Sequence, residues 1–247
     1  MNEVLRNLYD RKSVRLFADR PVDRALKDVL FDAAIQAPSA GNQILYTILD
    51  IEEQAIKDEL ALCCDNQDFI ARAPVVLVFL ADCRKWYDCF VYAGLDIRPP
   101  DLGDLFMACS DALIAAQNTV VAAQSVGLGS CYIGDILENR ERVVAALKLD
   151  PWVFPVSLVI YGHPDARGME RAKPARFDKS FVVRKNSYAR LREDEARRML
   201  AGTHPEETFD YDRFMKAFCE RKYESAFTVE MNRSIGKYLE QFLFGPK

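Results

Sequence analysis

The chain has only two histidines among its 247 residues, His163 and His204, and they stand far apart. Its seven cysteines, at 63, 64, 83, 89, 109, 131 and 219, are odd in number, and no pair shows CxxC spacing. A zinc site or a dithiol redox motif is therefore not expected, and no metal is assigned. The expectation is reduced cysteines packed as small buried hydrophobes. No catalytic triad is visible. Basic residues are not in surplus: 33 Lys and Arg face 37 Asp and Glu, for a net charge of -4. With a pI near 5.4, nucleic acid is excluded as the main partner. There is no signal-peptide pattern, internal repeat, low-complexity tract or clear linker, so a cytoplasmic globular chain is expected. Half the residues are hydrophobic and 28% are charged, an ordinary balance at a length that permits a sizeable core.

What the chain does have is an apolar stretch over residues 102–127, LGDLFMACSDALIAAQNTVVAAQSVG, rich in Ala, Leu, Val and Ile. It lacks Pro, and from Leu105 to Gly127 its only charge is Asp111. Such composition predicts a helix without a polar face, buried nearly all round. Asp111, Gln117, Asn118 and Gln124 interrupt it too often for a membrane span. It belongs either at the centre of one core or between two subunits.

Around that helix the chain reads as α+β. A short helix over Glu3–Asp10 leads into Arg11-Lys12-Ser13-Val14-Arg15. A second starts at Pro21, carries Leu26, Val29, Leu30, Ala33 and Ala34 at helical spacing, and ends before Pro38. Residues 44–51, Val75–Ala81, Ser130–Ile133 and Phe154–Tyr161 read as strands. The second is so apolar that both its faces should be buried. Helices are expected over Glu53–Leu62 and over Arg140–Leu147, the latter capped by Asn139. Residues 83–101 suggest an irregular excursion over a cleft, and 165–186 a basic extended arm. Three helices, near 187–200, 210–222 and 226–242, finish the chain. The organisation expected is one domain, with a core over 1–164 and an arm with helices over 165–247.

Four clusters could carry chemistry. Arg11, Lys12, Ser13 and Arg15 place three cations and a hydroxyl within five residues, suited to a phosphate unless simply solvated. Lys173-Pro174-Ala175-Arg176 presents two cations across a stiff proline. Pro38-Ser39-Ala40-Gly41-Asn42 is a tight loop with a hydroxyl and an amide free to bond a polar ligand edge. In Tyr132-Ile133-Gly134-Asp135, Gly134 would let backbone approach a flat ligand closely.

The order of these motifs carries more than any one of them. RKSVR, APSAGNQ, Asn66-Gln67 before an apolar strand, GLGSCYIGD after the long helix, PVSLVIYGHP and KPxR together resemble the nitroreductase family of flavoproteins, over residues 1 to about 242. The helical extension after KPxR resembles the branch of larger NADPH-dependent nitro/flavin reductases. The resemblance implies a mixed, mostly antiparallel sheet wrapped by helices, in an intertwined homodimer with FMN at the subunit interface. The long helix would lie at that interface, with the C-terminal segments embracing the partner.

By the same resemblance, Arg11, Lys12 and Ser13 would hold the FMN phosphate and ribityl chain, with Lys173 and Arg176 as a second pair of phosphate cations. Arg15 would stand near the pyrimidine end, where positive charge favours the reduced flavin. Pro38, Ser39 and Asn42 would lie on a loop approaching the flavin, often from the partner subunit. Gln67 would bond the pyrimidine edge, and Ile133 and Gly134 would lie close to N5. The chain departs from the pattern twice. Asp135 replaces the second glycine of a Gly-Gly pair, so a carboxylate stands either near the cofactor or toward solvent. Arg176 follows Lys173 by three residues instead of two.

The implied reaction is ping-pong: NADPH or NADH gives hydride to flavin N5, and a nitroaromatic, quinone or free flavin is then reduced. The protein need supply no acid or nucleophile. Other chemistries on the same fold, reductive dehalogenation or flavin fragmentation, remain open, as does a non-catalytic flavin binder. Phe69, Trp86, Tyr87 and Phe90 either line an acceptor pocket or fill the core. Arg197 and Arg198 either reach a 2′-phosphate or are solvated.

Overall fold

The computed structural model describes residues 1–170, 172–204 and 208–245. The chain divides into two compact units, Met1–Arg171 with Glu230–Lys247, and Ala172–Val229.

The first unit is built on a four-stranded sheet of β1 (Tyr46–Asp50), β2 (Val75–Asp82), β3 (Gly129–Ile133) and β4 (Val153–Gly162), in the order β1-β2-β4-β3. All three strand pairs are antiparallel, and a parallel bridge from Ser13 to Ser130 adds the mixed character. Val75, Leu77 and Phe79 of β2 face one layer, and Val76, Val78 and Leu80 face the other. This two-sided burial is why β2 alternates in direction but not in polarity.

Helices cover both faces. On one lie α3 (Gln54–Cys63), α4 (Asp68–Ala71) and α7 (Arg140–Leu147), which bury Leu60, Ile70 and Val143 with Cys131, Leu158 and Ile160. On the other lie α2 (Arg24–Ile35) and α6 (Leu102–Ser125), which bury Leu30, Ala34, Ala112, Ala116 and Val120 with Val159 and Tyr161. Asp23, rather than Pro21, begins α2: its side chain accepts from the Leu26 amide. Asp101 and Asp104 form a capping box that starts α6. The first helix, α1 (Glu3–Asp10), has the expected bounds, with Asn2 capping it. Residues 230–244 of the last helix add Tyr238 and Phe242 to a third cluster with Leu105, Trp152 and Phe154.

Four expectations need correction. The long helix α6 is not buried all round. Leu105, Ala108, Ala112, Ala116 and Ala123 are covered, whereas Phe106, Met107, Leu113 and Ile114 stand 69%, 50%, 46% and 40% exposed. By length and mean hydropathy, 1.4, it could cross a membrane, but its small-residue face is core, packed on the sheet. Residues 83–101 are not wholly irregular: Arg84–Tyr92 forms α5, and the prolines act only afterwards. Asn139 precedes α7 without capping it, because it is left-handed at φ 48° and its side chain donates to the Cys63 carbonyl at 2.8 Å. Nor are all the cysteines buried: Cys89 and Cys219 are exposed.

The second unit begins as extended chain, interrupted by a single turn at Lys179–Phe181. It continues into α9 (Glu193–Ala201) and α10 (Tyr211–Lys222). The stretch 165–186 is therefore not without helix, since α8 (Ala166–Glu170), in the first unit, lies within it as well. In the second unit His204 stacks on Phe209 at 4.4 Å and meets Phe214 edge-on, a small aromatic core in place of aliphatic packing.

Candidate functional site

The cationic strap after α1 lies along the sheet edge. Val14 donates its amide to the Ser130 carbonyl at 2.9 Å, and Ala18 donates to the His163 carbonyl at 2.8 Å. The fit is close enough to require glycine: a Cβ on Gly129 would stand 2.8 Å from the Val14 side chain. Val14 is 3% exposed and acts as the anchor, and extended chain then turns its neighbours Ser13 and Arg15 outward.

These anchored residues share one environment. The Cys131 thiol is pushed up by burial, and Arg15, the Ser13 side chain and Arg11 oppose that push. Arg11 also opposes the rise of the Tyr132 phenol, which burial takes to about 12. One Arg11 guanidinium nitrogen, Nη1, is buried without a hydrogen-bond partner. An unmet charged donor is costly to bury and calls for an acceptor. Lys12 donates to the Met169 carbonyl. The Arg15 guanidinium stands 5.7 Å from the Phe69 ring centre, which places Phe69 under a cation at this edge.

Gln67 and Asp135 meet at the same edge. Gln67 precedes α4, and its amide nitrogen donates to the Cys64 carbonyl at 2.8 Å and to Asp135 Oδ2. The alternatives left open for Asp135 resolve onto a protein partner: it holds Gln67. Ile133 is 2% exposed at the end of β3, while Gly134 is exposed, with no atom within 4 Å of where a Cβ would be. Backbone here is open to close approach by a flat ligand. Glu138 follows on the turn, 5% exposed. Burial, then Asp135, Asp65 and Glu230, raise its carboxyl to about 7.

The loop at 38–45 is organised differently from expectation. The Ser39 hydroxyl is not free: it donates to Asp111 Oδ2 at 2.6 Å and accepts from the Ile44 amide at 2.6 Å. The Ala40 and Leu45 amides also donate to Asp111, at 3.1 and 3.3 Å. Pro38 and Asn42 are exposed, and Asn42 is left-handed at φ 57°. α5 braces this loop, with the Trp86 indole donating to the Gln43 carbonyl at 2.7 Å and Lys85 donating to the Tyr46 carbonyl at 2.7 Å. Beside it, Trp86, Tyr87 and Phe90 line a cavity of about 320 Å³ with Leu45, Ile97 and Met107.

Lys173 and Arg176 belong to the second unit, where Arg176 is exposed on extended chain. Arg197 pairs with Asp212 at 3.0 Å and Arg198 with Asp194 at 3.1 Å, so both are engaged within that unit. The first unit thus gathers Arg11, Ser13, Arg15, Gln67, Ile133 and Gly134 at one sheet edge and holds Ser39 and Asn42 on a separate braced loop. Sequence reasoning missed the loop's organiser, Asp111, although a lone charge in an otherwise apolar helix was a readable signal. The orphaned Arg11 donor, the hydroxyl of Ser13 and the open backbone at Gly134 fit an anionic, flat cofactor such as FMN.

Known proteins resemble this chain in sequence and in fold. An FMN reductase [NAD(P)H] of Bacillus subtilis is 28% identical over 255 aligned residues, covering 99% of this chain and 94% of the relative. An oxygen-insensitive NADPH nitroreductase of Salmonella typhimurium is 30% identical, covering 78% of each. The solved structure of B. megaterium NfrA2 superposes with a TM-score of 0.80 at 26% identity, covering 96% of this chain and 98% of that one. The NADPH:FMN oxidoreductase of Vibrio harveyi, complexed with NAD+, shares the fold over the whole of both chains, with a TM-score of 0.76 at 23% identity. Residues 8–163, from the last turn of α1 to just past β4, match the nitroreductase family, and the chain belongs to that family.

Proposed function

We propose that this chain is an FMN-dependent NAD(P)H oxidoreductase that works as a homodimer in the cytoplasm and reduces small electron-poor acceptors, nitroaromatics, quinones or free flavins. The observation that carries the reading is the buried, partnerless Arg11 Nη1 beside Ser13 and Arg15. When bound, FMN supplies reversible two-electron chemistry between a nicotinamide donor and the acceptor. Everything else is positioning and field. Arg11, Lys12 and Ser13 bind the phosphate and ribityl chain. Arg15 adds positive charge at the pyrimidine end, favouring the electron-rich state. Gln67 bonds the pyrimidine edge, and Ile133 with Gly134 leaves the opposite side open to backbone contact. Asn42, presented by the loop that Ser39 and Pro38 shape, faces the cofactor of the partner protomer. The apolar residues of α6 that stand exposed in one chain, Phe106, Met107, Leu113 and Ile114, supply the face on which two protomers meet.

The test is an anaerobic titration of the FMN-saturated protein with NADPH and then with NADH, followed by flavin absorbance. Bleaching by either donor, reversed by a quinone or a nitroaromatic, is the expected result and names the donor. Bound flavin that neither donor bleaches would reject the reductase reading.

A further inference from the structure

We infer that Asp135 is a positioning residue that makes Gln67 an obligate hydrogen-bond acceptor toward the cofactor. The inference rests on the proposed FMN site and adds to it a rule for how the pyrimidine edge is recognised. The terminal atom of Gln67 that lies against the Cys64 carbonyl also lies against the Asp135 carboxylate. Both neighbours can only accept, so that atom is the amide nitrogen whichever way the side chain is drawn. A primary amide has two N–H donors, and both are spent. What remains for a ligand is Oε1 alone, on a side chain that is half-buried.

The pyrimidine edge of a flavin carries one donor, N3–H, between two acceptors, O2 and O4. An acceptor-only side chain can pair with N3–H and is repelled by both carbonyls. A glutamine free to turn could serve either kind of partner and would recognise neither strictly. The Cys64 carbonyl by itself would leave one N–H uncommitted. The second lock is the carboxylate, supplied from Asp135, 68 residues further along the chain. In a Gly-Gly version of this turn no side chain could provide it. Asp135 thus sets selectivity for a ligand that carries N3–H.

The experiment compares binding of FMN and of 3-methyl-FMN, which lacks the N3–H donor, by fluorescence titration of the apoprotein, with thermal melts to confirm folding. The wild-type chain is expected to prefer FMN by about tenfold, the scale of one hydrogen bond. Asp135→Ala frees an N–H that can serve O2 or O4, so the preference should fall below about threefold while FMN still binds. Asp135→Asn keeps a carbonyl acceptor for Gln67 and should restore the preference. Gln67→Ala should abolish it. If the alanine variant does not fold, Asp135→Gly takes its place. A wild-type ratio near one overturns the inference, as does an unchanged ratio in Asp135→Ala or in Gln67→Ala. A folded wild-type chain that binds neither ligand overturns the FMN site itself, and that result is distinct from the other two.

Discussion

Ser39 and Asp111, 72 residues apart, are joined by a 2.6 Å hydrogen bond that ties the loop after α2 to the middle of α6. Asp111 is 3% exposed and accepts from Ser39, Ala40 and Leu45, with no cation among its hydrogen-bond partners in the described residues. Its charge is met by donors alone, which is affordable only because the loop closes over it. Asp111→Ala leaves two backbone amides and a hydroxyl unmet and should cost about 3 kcal/mol. Asp111→Asn, which keeps one acceptor, should cost less. Urea unfolding of the two variants checks the order, and equal losses would show that the loop does not depend on these bonds.

Gly129 sets the depth at which the strap lies. Adding a methyl there drives Val14 outward, because the two would be 2.8 Å apart. Gly129→Ala should lose about 1–3 kcal/mol, the usual range for overpacking, and should weaken FMN binding by displacing Arg11 and Ser13 together. Melting temperature and FMN fluorescence quenching measure the two effects. Normal FMN affinity in a destabilised variant would separate the strap from the site.

Glu138 should make stability depend on pH. Its carboxyl ionises near pH 7 in the folded chain, against an ordinary value of 4.5. Below 4.5 both folded and unfolded states hold the proton and the residue has no effect on their balance. Between 4.5 and 7 the unfolded chain gives up the proton first, and the folded state loses ground until the penalty is complete above 7. Glu138→Gln should therefore melt with the wild type at pH 4 and above it at pH 8. A variant gain that is greatest in acid would invert the assignment.

The exposed apolar face of α6 should govern assembly. Phe106→Glu and Leu113→Glu each replace a side chain worth about 1.5–3 kcal/mol when buried, so the dimer should weaken at least tenfold in either variant. Sedimentation velocity across a dilution series reads this directly. Unchanged sedimentation would place the interface elsewhere.

The parts of the molecule legible in the sequence are those fixed by local chemistry. Glu3–Asp10 is readable because Asn2 caps it and a polar, charged turn follows. Val75–Asp82 is readable because a strand covered on both faces needs no polar position. Helix α5 was hidden by its composition: Trp86, Tyr87, Phe90 and Tyr92 lower helix propensity and suggest a loop, yet Trp86 and Lys85 reach the 43–46 loop from a helix. Within one chain the buried cover of α6 stops short of Phe106, Met107, Leu113 and Ile114, because composition shows apolarity without showing which neighbours supply the cover. At the site, residue types were legible and their commitments were not. Ser39 reads as a loop hydroxyl and Gln67 as a contact to the pyrimidine edge until Asp111 and Asp135 are brought to them from distant segments, and no local pattern announces either meeting.

Asp111 lies on the same helix as Phe106 and Leu113, five residues after the first and two before the second, and is buried where they are exposed. The outer face of α6 is therefore coupled to the Ser39–Leu45 loop through the Asp111 carboxylate, together with the packing of Ile44 and Leu45. On the proposed homodimer, with that face as its interface, self-association and cofactor retention would become one equilibrium. Each would draw on the other by mass action. Such a chain would hold its flavin most tightly where it is most concentrated and shed it on dilution, so that the protein's own abundance sets how much of it is active.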